Sequence, residues 1–185
     1  MVKHIVIFAS GGGSNAEVIM KHFHASEQAK VVALVCNKPS AGVVNKAARN
    51  GVPVIYIDKD TLNGPGLPLK LKSLRTDLIV LAGFLWLIPK RLIQSFHIIN
   101  IHPSLLPKYG GNGMYGMNVH RAVIENKEAQ SGMTVHEVTE EYDKGKIIWQ
   151  DHCNVSSEDT PDTLAAKVLQ LEHKNYVRAI EKVLF

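Results

Sequence analysis

Apolar positions fall into short runs rich in β-branched residues at 4–8, 31–36, 54–57, 78–82 and 98–101, each followed by a stretch with apolar residues at helical spacing. Strand and helix alternating in this way predict an α/β domain with a mainly parallel sheet flanked by helices. Residues 78–82, Leu-Ile-Val-Leu-Ala, lack polar alternation and so predict a central strand covered on both faces. After Thr134 the pattern changes to two longer runs, 133–138 and 146–155, joined by a polar, glycine-containing segment at 139–145. These read as late strands of the same sheet, a candidate antiparallel pair. Thr160-Pro161-Asp162-Thr163 offers an N-cap with proline at the first helical position, and 164–183 has the spacing of a long C-terminal helix. The glycine- and proline-rich stretches 63–68 and 110–116 read as loops, since neither separates parts large enough to fold alone. One domain over 1–185 is expected.

Composition supports a folded chain: 185 residues with 45% apolar and 21% charged residues can bury a full core and carry too little net charge for disorder. The opening apolar run is far shorter than a membrane span, and glycines follow where a signal peptide would stay apolar. A cytoplasmic protein with no membrane partner is expected. Cys36 and Cys153 have no Cys-x-x-Cys spacing and are expected as buried free thiols. The net charge of +4 comes from scattered basic residues without a Lys/Arg run, so no nucleic-acid partner is expected and a small anionic substrate fits equally well. The histidines show no metal-ligand spacing, and His22 and His24 would diverge on a helix. No metal is expected.

The first turn carries chemistry. Ser10-Gly11-Gly12-Gly13-Ser14-Asn15 follows the first strand and opens the first helix, so unhindered backbone N–H groups and a helix N-terminus converge where a phosphate would sit. The plainer reading is a tight turn that needs glycine. The stretch from Gly11 to Ala16 also fits the Gly-x-Gly-x-x-Ala dinucleotide fingerprint. The second strand ends at Cys36-Asn37-Lys38 without the acidic residue that NAD binding prefers, while Lys38 suits the extra phosphate of NADP and keeps that alternative open.

The fifth strand ends in Asn100-Ile101-His102-Pro103-Ser104-Leu105-Leu106-Pro107, at the strand end where open α/β sheets place ligands. Strand alternation puts Asn100 and His102 on one side, and Pro103 and Pro107 restrict the backbone that follows. This octet resembles the signature of folate-dependent formyltransferases, and Gly13-Ser14-Asn15 narrows the resemblance to their glycinamide ribonucleotide branch. Leu81-Ala82-Gly83-Phe84, Ser131-Gly132-Met133-Thr134-Val135-His136 and Asp143-x-Gly145 extend it over nearly the whole chain.

The resemblance implies a single Rossmann-like domain with a phosphate-binding N-terminal half and a folate-binding, catalytic C-terminal half. It implies that a formyl group passes from 10-formyltetrahydrofolate to the amine of glycinamide ribonucleotide in purine biosynthesis, with no metal. Asn100, His102 and Asp143 would be catalytic, with Asp143 favouring a charged His102. Gly13, Ser14 and Asn15 would hold the ribonucleotide phosphate. Leu85, Trp86, Leu87 and Ile88 would bind folate with Asn100, Glu140, Glu141, Tyr142 and Asp143, and Glu172 would touch the substrate. Trp86 and its neighbours have a bland alternative as core, Asp143-Lys144-Gly145 as a turn, and Glu172 as a solvated helix carboxylate. The loop 108–117 is longer and richer in glycine than in many relatives, and the connection 58–75 is shorter. A monomer or weak homodimer is expected. The rivals are formyltetrahydrofolate hydrolase and methionyl-tRNA formyltransferase, which would need an additional N-terminal or C-terminal domain, an NADP-binding protein, and a non-catalytic nucleotide-binding module.

Overall fold

The computed structural model describes residues 1–185. In chain order the elements are β1 (Lys3–Ala9), α1 (Ser14–His24), β2 (Ala29–Cys36), α2 (Gly42–Arg49), β3 (Val54–Tyr56), α3 (Lys59–Asn63), α4 (Gly66–Ser73), β4 (Leu78–Leu81), α5 (Lys90–Ile93), β5 (Ile98–His102), α6 (Met117–Glu125), β6 (Gln130–Glu137), β7 (Ile147–Asn154) and α7 (Pro161–Leu184). The strands hydrogen-bond in the order β3-β2-β1-β4-β5-β6-β7. The pairs β1·β2, β1·β4 and β2·β3 are parallel and β6·β7 is antiparallel, as the apolar pattern predicts. The chain divides into two compact units, one of Met1–Ile99 with Val183–Phe185 and one of Asn100–Lys182.

In the first unit β1 and β4 are buried along their apolar runs, which is why neither sequence alternates. Helix α1 buries Ala16, Ile19, Met20 and Phe23, the one-face spacing of an amphipathic helix. Burying a side chain the size of Ile19 or Phe23 contributes about 1.5–3 kcal/mol. The stretch 63–68 is not the continuous loop its composition predicts: α3 ends at Asn63 and α4 begins at Gly66. Pro68 lies in the first turn of α4, where its missing N–H breaks no helical bond, so proline starts this helix instead of preventing it.

In the second unit β6 and β7 pair from Gln130↔Asn154 to Val135↔Trp149, and the register then shifts so that His136 faces Ile147. The extra residue, Ile148, forms a β-bulge next to His136. Thr160 Oγ1 accepts from Thr163 N at 3.2 Å at the start of α7, the capping its sequence predicts. Asn175 Nδ2 on that helix donates to Asp151 Oδ2 on β7 at 2.8 Å. Both cysteines are free, but only Cys36 is buried; Cys153 is half-buried because it lies on β7, the last strand of the sheet order.

Candidate active site

The second unit gathers Asn100, His102, His136 and Asp143. Asn100 and His102 share one face of β5 by strand alternation, His136 lies near the end of β6, and Asp143 follows in the turn toward β7. One hydroxyl ties down the start of the loop after β5: buried Thr134 Oγ1 donates to Ser104 O at 2.7 Å and accepts from Leu106 N at 3.1 Å and Gln150 Nε2 at 2.9 Å. Asp143 has a left-handed backbone, φ 56, which aspartate tolerates better than most residues. At Gly145 any Cβ would overlap the carbonyl oxygen of Glu137, so only glycine lets the turn close. Asp143-Lys144-Gly145 is therefore a tight turn, and that turn carries the carboxylate.

Asp143 Oδ2 accepts from Gly111 N at 2.9 Å and lies 3.5 Å from His102 Nδ1; its Oδ1 lies 3.4 Å from His136 Nε2. His102 Nε2 sits 2.7 Å from the carbonyl oxygen of Tyr109, a contact that requires the proton on Nε2 in either charge state of the ring. Nδ1 is then the nitrogen available for proton exchange. His136 Nδ1 donates to Glu137 O at 2.8 Å, leaving its Nε2 lone pair to accept from Asn100 Nδ2 at 3.2 Å. One N–H of Asn100 is thereby held, and the second remains to be offered. In the sequence His136 stands out only as the end of the run Ser131-Gly132-Met133-Thr134-Val135-His136. Its partner on β5 is 36 residues away, so the one local signal is its place two residues beyond Thr134 on the same strand face.

Burial pushes the His102 pKa below the ordinary histidine value and His136 adds to this, while the Asp143 carboxylate and the Tyr109 carbonyl oppose it. Burial wins over Asp143, so the resting ring is neutral, contrary to the charge expected from the Asp143 partnership alone. Burial would raise the Asp143 pKa, but positive charge on the neighbouring His136 and His102 rings, when they carry it, and the Gly111 N–H hold the carboxyl below the usual range. Both groups bind fewer protons folded than unfolded. The stability they contribute is complete above their ordinary values and is lost as pH falls, first through the histidine range and then through the carboxylate range. Denaturation midpoints should therefore decline between about pH 7 and pH 5, and the decline should be shallower in His102→Gln. An identical slope in the two proteins would remove His102 from this linkage.

In the first unit Gly13 caps α1 at φ 71, and a Cβ there would overlap the Val43 side chain, whereas Gly11 and Gly12 face open space. Ser14 and Asn15 open α1 and are half-buried. Ser10 Oγ accepts from Leu85 N at 3.3 Å, tying the glycine turn to the segment after β4. There Leu85 and Leu87 are exposed, Trp86 is half-buried in edge contact with Phe84, and Ile88 is buried. Core thus describes Ile88 and not the two leucines. In the second unit Glu140, Glu141 and Tyr142 are exposed beside half-buried Asp143. Glu172 is buried on α7, so it is not a solvated carboxylate. No group of three or more His, Cys, Asp or Glu side chains is arranged to hold a metal ion, and no helix is long and apolar enough to cross a membrane.

A model of the formyl transferase family matches residues 3–180. The chain belongs to the formyl transferase family. Among proteins similar to it is the chloroplastic phosphoribosylglycinamide formyltransferase of Arabidopsis thaliana, 43% identical over 96% of this chain and 64% of that protein. The chain thus spans less than two thirds of the length of that plant relative. The phosphoribosylglycinamide formyltransferase of Bacillus subtilis is 34% identical over 99% of this chain and 95% of its own. The crystal structure of phosphoribosylglycinamide formyltransferase from Bacillus halodurans matches with a TM-score of 0.88 at 34% identity, over 98% of this chain and 95% of that one. Within this formyl transferase fold, the strand-end amide and imidazole and the turn-borne carboxylate form the polar cluster described above.

Proposed function

We propose that this chain transfers the formyl group of 10-formyltetrahydrofolate to the amine of glycinamide ribonucleotide, giving formylglycinamide ribonucleotide and tetrahydrofolate. The observation that carries the reading is the cluster of Asn100, His102, His136 and Asp143, which supplies a free amide N–H, a neutral imidazole and an ionised carboxylate together. The neutral substrate amine attacks the formyl carbon, and an N–C bond forms as the formyl oxygen becomes an oxyanion. Asn100 donates its free N–H to that oxygen. His102 takes the amine proton at Nδ1, and the imidazolium so formed has acceptors near both nitrogens, the Asp143 carboxylate and the Tyr109 carbonyl. Its positive charge favours the oxyanion. Collapse breaks the bond from carbon to the folate nitrogen, and the proton passes to that nitrogen. No covalent enzyme intermediate is needed.

In this reading Gly13, Ser14 and Asn15 hold the ribonucleotide phosphate, and Leu85, Trp86, Leu87 and Ile88 with Glu140, Glu141 and Tyr142 hold the folate. Glu172 contacts the substrate from α7. Substitution at Gly13 would disturb packing against Val43, so Gly12, with open space around it, is the cleaner probe. Gly12→Val should weaken ribonucleotide binding roughly 10- to 100-fold by calorimetry and leave folate binding unchanged. Equal ribonucleotide affinity in a folded Gly12→Val protein would remove the turn from the site.

The deciding assay incubates the protein with both substrates and measures formylated ribonucleotide together with tetrahydrofolate. Equimolar appearance of the two supports transfer; formate without formylated product would make the chain a hydrolase. The comparisons support formyl transfer and offer nothing for the NADP reading.

A further inference from the structure

The loop after β5 delivers both contacts that flank the His102–Asp143 pair: the Tyr109 carbonyl to His102 Nε2 and the Gly111 N–H to Asp143 Oδ2. This requires Tyr109 to stand at φ 56, a left-handed conformation that a bulky aromatic residue rarely adopts. Something must hold it there. On one side the Tyr109 side chain borders a cavity of about 330 Å³ shared with Lys108, Glu128 and Ser131, so packing on that side does not fix it. Its hydroxyl instead donates to Glu128 Oε1 at 2.9 Å. The same carboxylate takes the Lys108 ammonium at 2.9 and 3.1 Å, so one half-buried side chain between α6 and β6 anchors two successive residues of the loop.

We propose that Glu128 is a positioning residue for His102, acting through Tyr109. Without the anchor Tyr109 relaxes to negative φ, the peptide that follows it turns, and His102 Nε2 loses its acceptor. The charged ring is then less favoured than before. The other groups that act on His102 are Asp143 from the turn after β6 and His136 from β6, while His102 in turn acts on His120 of α6; Glu128 is hydrogen-bonded to none of the three.

The inference rests on the proposed formyl transfer only for its kinetic arm. Glu128→Ala and Tyr109→Phe delete one bond from opposite ends. Glu128→Gln keeps an acceptor for the tyrosine hydroxyl, and Lys108→Met removes the ion pair while keeping that bond. The first readout is the His102 ring resonance by NMR, assigned by its loss in His102→Gln and titrated without substrates. Glu128→Ala and Tyr109→Phe should both titrate at lower pH than wild type, and Glu128→Gln and Lys108→Met as wild type. In the kinetic arm the first two variants should lose about tenfold in kcat with KM for both substrates within about twofold, and their double mutant should be no worse. An unchanged His102 titration in folded Glu128→Ala and Tyr109→Phe overturns the inference, with or without a fall in kcat. A shifted titration in a chain that transfers no formyl group upholds it and removes the proposed function instead.

Discussion

Asp143→Asn should lower the turnover of formyl transfer by roughly 1000-fold while the fold and both substrate affinities persist. The asparagine oxygen can still accept from Gly111 N, which is why the turn should survive; what disappears is the negative charge beside His102 Nδ1. In the proposed mechanism that charge matters most when His102 carries the amine proton, so the loss belongs to kcat and not to KM. The NMR titration of His102 should also move further down in Asp143→Asn, since the carboxylate is the main influence raising it against burial. His102→Ala should do comparable damage, and the double mutant should be little worse than either single one because the two act as a unit. Multiplicative losses would show independent roles, and wild-type turnover in Asp143→Asn would take the aspartate out of the mechanism.

Thr134→Val removes one hydroxyl and almost no volume from a fully buried position. The hydroxyl joins the Ser104 carbonyl, the Leu106 N–H and the Gln150 amide, so valine leaves three polar groups short of a partner. Leaving a buried donor or acceptor unsatisfied costs about 1–3 kcal/mol; the Gln150 amide keeps Leu106 O, so a total of about 2–4 kcal/mol is expected. For a chain of this size that lowers Tm by roughly 4–16 °C. The loop from Ser104 to Leu106 should loosen as well, and turnover should fall more than the melting point alone explains when measured well below Tm. A Tm within about 1 °C of wild type would show that the loop is held by other contacts.

Much of this was legible in the residues. The β-branched runs at 4–8, 31–36 and 78–82 mark β1, β2 and β4 because burial on both faces imposes a local apolar pattern. Asn100 and His102 could be paired from sequence because a spacing of two on a strand is itself a geometric statement. The capping threonine and first-turn proline of α7 are equally local. Composition misled at 63–68, where glycine and proline read as loop and Pro68 instead sits in the one helical turn that tolerates it.

The remainder of the site depended on contacts between distant residues and on backbone angles that no periodicity encodes. His136 reaches Asn100 across 36 residues, Gly111 reaches Asp143 across 32, and Glu128 reaches Tyr109 across 19. The left-handed turns at Tyr109 and Asp143 aim a carbonyl and a carboxylate; aspartate favours such a turn more than most residues do, but nothing in the sequence marks Tyr109 for one. The protonation of His102 lay further out of reach. Its sequence partner, Asp143, argues for a charged ring, but the sign follows from how much water the folded chain excludes, and burial outweighs the partner. The sequence by itself determined the order of strands and helices and the identity of the strand-end pair, because both arise from neighbours along the chain. Only the tertiary structure decided which groups surround that pair and which protons they carry, because desolvation and hydrogen-bond partnership are properties of neighbours in space.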